Sequence, residues 1–188
     1  NATSMLLRLE MRDVDIGNRW DELGVVSVKH IDDHLFAFHD AHYMMAIAGA
    51  GRANDADAML RTMAEAAERD DRTEAAVFRD VGLPLSKAIV ANRNKEYGKV
   101  VDLLAPVRYQ VYRIGGSHAQ RDVFAQLLVH AAIADGRHGL ARALLGERVE
   151  RRPGSSLNWR WLGETLDGLG ETNGAAEARG KAEKLIAA

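Results

Sequence analysis

Residues 122–155, DVFAQLLVHAAIADGRHGLARALLGERVERRPGS, and 156–188, SLNWRWLGETLDGLGETNGAAEARGKAEKLIAA, repeat one arrangement at an offset of 34. At that offset Leu128 aligns with Leu162, Gly136 with Gly170, and Ala141 with Ala175. Each unit reads as two helices folded back on each other. Antiparallel helices need small residues where their axes approach, here Ala141 and Ala175, and large ones where they bury area, here Leu128, Leu145, Leu162 and Leu166. Full burial of each leucine contributes roughly 1.5 to 3 kcal/mol. Gly136 and Gly170 end the first helix of each pair, because a left-handed residue is cheapest in glycine. Pro153 marks the handover between units, and Ser155 or Ser156 caps the helix that follows. One hairpin cannot cover its own apolar face, so several must stack.

This offset is the period of the tetratricopeptide helix-turn-helix repeat. Laid on that template, the last unit supplies Trp159, Leu162, Gly163, Leu166 in the tyrosine slot, Ala175 and Ala182. The unit before it supplies Leu128, Ala132, Gly136, Ala141, Leu145 and Pro153. The expected fold class is therefore all-α, a tetratricopeptide-like alpha-alpha superhelix of about nine to eleven helices.

Composition agrees. A chain of 188 residues, 47% hydrophobic with three prolines, suits one mostly helical domain spanning 1–188. A net charge of -2 supplies no field for nucleic acid or an anionic membrane, and neither is expected as a partner. With no cysteine, disulfides and thiolate metal sites are excluded. No stretch is long and apolar enough to read as a membrane span, and a cytoplasmic location is the expectation.

Upstream the repeat is looser. A short helix from Thr3 or Ser4 to about Met11 has no preceding helix to pair with, so its partner is expected upstream of Asn1. Residues 13–17 turn, and a second helix over about 18–29 buries Trp20, Leu23, Val26 and Val28. The spacing Asp13-x-Asp15 begins like a calcium loop, but the twelfth position is Gly24. The next helix gathers His30, Asp32, Asp33, His34, His39, Asp40 and His42. Hairpins are expected over 37–70, ending in Glu68 to Asp71, and over 81–114, with Pro84 at a helix start. A short extra helix lies over 72–81, and 1–36 is the remnant of a preceding repeat. Hairpins over 122–155 and 156–188 complete the series. Ser117 with Gln120 three residues on is a capping box for the helix through Phe124.

Two stretches are more specific than a generic repeat. Phe38-His39-Asp40-Ala41-His42-Tyr43-Met44-Met45-Ala46 and Gly115-Gly116-Ser117-His118-Ala119-Gln120-Arg121-Asp122-Val123-Phe124 resemble the signature runs of the tetratricopeptide repeat protein 38 family. The opening, with Leu7-Arg8-Leu9-Glu10 and Val14-Asp15-Ile16-Gly17-Asn18-Arg19-Trp20, is similar as well. His39 stands where the resemblance leads one to expect Asn. The family's members are much longer, so the resemblance implies the C-terminal portion of such a protein and an alpha-alpha superhelix. It implies no reaction, substrate or cofactor.

Asp40, His42, His118, Arg121 and Asp122 are the polar cluster candidates, since stacking can bring the starts of nonadjacent helices together. An Asp oriented by Arg with His beside it is the minimum for acid-base work, and it is equally the form of a structural ion-pair network or a ligand contact. Ser117 is accounted for as a cap, so no catalytic nucleophile is assigned. His30 near His34, and His39 near His42, have helical spacing and with Asp33 or Asp40 offer a divalent metal a hold. No HExxH spacing is present, and exposed or internally bonded histidines explain the same residues; no metal or other cofactor is assigned.

Inward positions of the first helices would be Ala41 and Met45, Leu85 and Ile89, Gln126 and His130, and Arg160 and Glu164. This row runs from apolar to polar. Its apolar end is expected to pack on missing helices, a second subunit or an apolar partner segment, and Gln126, His130, Arg160 and Glu164 are the candidate binding residues. The carboxylate-clamping Lys and Asn of chaperone-binding repeats are missing. Arg148, Arg151 and Arg152 close a helix, where cations oppose the dipole, and Glu147 and Glu150 interrupt them. Of Trp159 and Trp161, one belongs to the repeat core and the other to the surface or an interface. The expected function is a noncatalytic scaffold for a protein or peptide partner, with a homodimer also open. The alternative is a small-molecule or metal-dependent site on the two runs.

Overall fold

The computed structural model describes residues 2–69 and 74–187. Every regular element among them is helical. The chain divides into two compact units, 1–128 and 129–188, with the boundary inside one helix.

In the first unit α1 (Ala2–Glu10) and α2 (Arg19–Ser27) lead through a 3-10 turn, Val28–His30, to α3 (Ala37–Gly49) and α4 (Ala53–Ala67). Then follow α5 (Ala75–Val77), a π turn over Phe78–Gly82, α6 (Leu83–Arg93) and α7 (Tyr97–Leu104). A second 3-10 turn, Val111–Ile114, precedes α8 (His118–Ala134). The centre is α3, which packs against α1, α2, α4 and α6. Its burial follows from its sequence: Ala37, Ala41, Met44, Met45, Ala46, Ile47 and Ala48 are apolar on all sides, and all are buried. Flexible Met59 and Met63 of α4 fill the space beside it.

Small residues set the close approaches. A Cβ on Gly24 would lie 2.5 Å from the Ala50 Cβ, and one on Gly49 would enter the Trp20 ring. The face of α2 that reaches the core is thus Trp20, Gly24 and Ser27. Val26, expected inside, is exposed with Val25, because the row from Trp20 through Gly24 is the one that lies against α3.

The hairpin expected over 37–70 is α3 and α4, turned at Gly51 with φ +69°; Asp70 and Asp71 fall outside the described residues. The expected helix over 72–81 is the beginning of a longer one: α5, the π turn and α6 run on without a break in helical backbone, and Arg72 and Thr73 are not described. Pro84 occupies the first turn of α6. Lacking an N–H and crowding the carbonyl four residues back, it suits the widened turn before it. Its hairpin partner α7 follows a turn through Lys95, at φ +60°.

The largest departure concerns 30–36. A helix is expected here, but after His30 the chain is turn and irregular through Phe36, and α3 starts only at Ala37. Adjacent Asp32 and Asp33 form helix poorly, and His34 takes a left-handed φ of +39° that no helix accommodates.

The second unit comprises the end of α8, α9 (His138–Arg151), α10 (Ser156–Gly168) and α11 (Thr172–Ala187). Here α10 packs against both α9 and α11. Gly136 and Gly170 have φ of +73° and +75°, and Ala141 and Ala175 are wholly buried. The Ser155 side chain caps α10 by accepting from the Asn158 N–H. Leu166, Ala175 and Ala178 form a core on which Trp159 and Leu162 rest. Trp161 is the more deeply buried tryptophan. Trp159 is half-buried, donates its Nε1–H to the Pro153 carbonyl at 2.7 Å and lies under the Lys181 ammonium at 4.5 Å. Among the described residues no helix is long and apolar enough to cross a membrane.

Candidate functional site

The two signature runs meet, through their rings. Gly116 sits so close to Phe38 that a Cβ there would be 2.6 Å from the ring. Phe38 lies 4.3 Å from the His42 imidazole, centroid to centroid, and His42 meets Phe124 edge-on at 6.2 Å. Left-handed Gly115 and Gly116, at φ +86° and +75°, turn the chain into α8. The capping box is closed as expected. The Ser117 N–H donates to Gln120 Oε1 at 2.8 Å, and the Gln120 N–H to Ser117 Oγ at 3.3 Å.

The polar members of the expected cluster have partners close by in the chain. Asp40 is 1% exposed, and its Oδ2 accepts from His34 Nδ1–H at 2.6 Å. His34 is buried as well, and its ring meets Phe78 edge-on at 5.9 Å. Asp40 is therefore turned toward the α2–α3 connection and away from the second run. His42 donates Nδ1–H to the Phe38 carbonyl at 2.7 Å, one turn back, which leaves Nε2 buried as a bare acceptor. Burial lowers the pKa of His42 below 6.5, against the opposing pull of that carbonyl. His118 is exposed. Arg121 donates to the carbonyls of Gly115 and Gly116 and approaches His118 Nδ1 at 3.5 Å, so its guanidinium fastens the turn. Asp122 accepts from Gln126 Nε2 at 2.6 Å, within α8. Asp40, His42, Arg121 and Asp122 are each engaged with a near neighbour.

The inward row fares similarly at its apolar end. Ala41, Met45, Leu85 and Ile89 are all buried, because α3 and α6 pack directly on each other where Gly82 meets Ala37. Their expected role as an open apolar face is thus corrected. Gln126, at 6% exposure, belongs to the interior of α8. His130 is half-buried beside Trp161, with ring centroids 6.4 Å apart. Arg160 and Glu164 are exposed one turn apart on α10 and are the accessible part of the row.

The histidine pairs expected from spacing are also rearranged. His30 Nδ1–H donates to Asp33 Oδ2 at 2.6 Å, while its ring stacks on Tyr43 at 4.6 Å and 9°. His34 faces Asp40. Among the described residues no group of three His, Cys, Asp or Glu side chains is placed to hold a metal ion.

Two arrangements escaped the sequence reading. Glu10 Oε1 accepts from Trp20 Nε1–H at 2.9 Å and from Arg93 at 3.1 Å, which ties α1 to α2 and α6. A row of outward rings, Phe36, His39, Tyr43 and His30, runs along the start of α3. The available signal was the adjacent pair Asp32–Asp33, which forms helix poorly, although Ile31 and Leu35 keep helical spacing. No family model matches the chain, and no solved structure matches it.

Proposed function

We propose that this chain is a noncatalytic interaction scaffold of tetratricopeptide type, akin to the tetratricopeptide repeat protein 38 family, and that its partner is a protein or peptide. One observation carries the reading. Successive helices are joined at left-handed Gly51, Gly136 and Gly170, and α10 exposes Arg160 and Glu164. Repeats of this kind act by presenting such positions to a ligand. The rival small-molecule or metal site loses support because Asp40, His42, Arg121 and Asp122 are each engaged with a near neighbour.

The test is affinity capture from the native source with the wild-type chain and a charge-reversed variant, Arg160→Glu with Glu164→Arg. Both positions are exposed, so the helical circular dichroism should be unchanged. A specific partner captured by the wild type should be lost from the variant. A stoichiometric metal or small molecule in native mass spectra, abolished by His118→Ala, would overturn the scaffold reading.

A further inference from the structure

We propose that the ring row Phe36, His39, Tyr43 and His30, flanked by Asp32 and Asp33, is a docking surface for a cationic peptide segment that offers arginine or lysine side chains. The inference rests on the scaffold reading and gives the chemistry of one partner.

The row is continuous. Phe36 meets His39 edge-on at 5.7 Å, His39 lies 6.5 Å from Tyr43, and Tyr43 stacks on His30 at 4.6 Å. Phe36 is 53% exposed, Leu35 beside it 65%, and His39 is exposed too. Large side chains this accessible in one place mark an interaction surface.

Its position is enforced. His34 holds its left-handed backbone through the buried bond to Asp40, and Thr62 Oγ1 donates to the Ile31 carbonyl at 2.8 Å. Thus 30–36 is fixed at both ends, with Leu35 and Phe36 facing solvent. Strain kept by a buried anchor next to exposed apolar residues is the pattern of a preorganised binding surface.

Charge selects the occupant. Asp32 and Asp33 are exposed, Asp33 is bonded to His30 of the row at 2.6 Å, and Lys29 is the cation beside them in sequence. The Tyr43 phenol is pushed above its ordinary pKa of 10.0 by burial, then by the charges of Asp33 and Asp40. Ring faces and carboxylates together attract guanidinium and ammonium groups, while a polyanion meets repulsion.

The experiment is fluorescence anisotropy of a labelled peptide of alternating arginine and glycine titrated with the full chain, using a glutamate–glycine peptide as control. Saturable binding of the arginine peptide alone is expected. Phe36→Ala should weaken it about two- to fivefold, as the loss of one exposed cation–π contact. Adding Asp32→Asn and Asp33→Asn should bring the loss to about tenfold or more. If Phe36→Ala disturbs folding, Phe36→Leu removes the ring while keeping an apolar residue, and should weaken binding to a similar degree. Absent saturation, equal binding of the control, or wild-type affinity in the triple variant would overturn the proposal. So would a Phe36→Ala variant that changes self-association in sedimentation but not peptide affinity, since a second copy would then be the occupant. If the triple variant binds normally while charge reversal at Arg160 and Glu164 still abolishes partner capture, the scaffold stands and this surface fails alone.

Discussion

At the residue scale, His34 and Asp40 bind each other where neither can reach bulk water. Removing one member of a buried charged or hydrogen-bonded pair strands the other. Asp40→Ala should therefore lower stability by about 3 to 5 kcal/mol, read as a fall in the urea midpoint at unchanged slope. Asp40→Asn keeps an acceptor for His34 Nδ1–H and should cost less. If Asp40→Ala left the midpoint in place, the pair would not be the anchor of 30–36. His42 gives a pH dependence of definite sign. Its folded pKa is depressed below 6.5 by burial, so the unfolded chain binds more protons in the interval between the two values. The contribution of His42 is fully present above 6.5 and declines as pH falls toward the folded value. Unfolding free energy should thus drop as pH falls below 6.5 toward the depressed folded pKa, and His42→Gln should flatten that slope; a slope indifferent to the substitution would refute the assignment. The identities of His34, Asp40 and His42 as notable residues were legible in the sequence. Their partners were not, because a left-handed backbone at His34 decides which side chains meet, and nothing in the run Asp32-Asp33-His34-Leu35-Phe36 announces it.

At the element scale, helix ends were the most readable features, since capping depends on residues three or four apart. Ser117 and Gln120 form the reciprocal box that their spacing predicts, and Ser155 caps α10. Ser117→Ala should cost about 0.5 to 2 kcal/mol, and Ser117→Gly only a few tenths. Hydrogen exchange at the first amides of α8 would show where the loss falls, and equal protection in all three proteins would contradict a role for the cap. Element boundaries that depend on packing were less readable. The π turn before α6 reconciles a proline in the first turn with a helix that continues upstream. Likewise, α2 presents Trp20, Gly24 and Ser27 because the Gly24–Ala50 approach rotates it so. A hydrophobicity count alone would have chosen Val26.

At the scale of the whole molecule, charge reversal at Arg160 and Glu164 asks what no single distance can answer, namely whether the helical array exists to hold a partner. The sequence by itself determined the helical class and the late glycine turns, because these follow from local propensity and from a spacing repeated every 34 residues. Tertiary structure alone decided that the chain divides inside α8. It also buried Ala41, Met45, Leu85 and Ile89, and it gave Asp40, His42 and Asp122 their near partners. The physical reason is range. A cap or a turn is fixed by atoms a few residues apart, whereas the direction a buried carboxylate takes depends on which distant segment first supplies it with a donor.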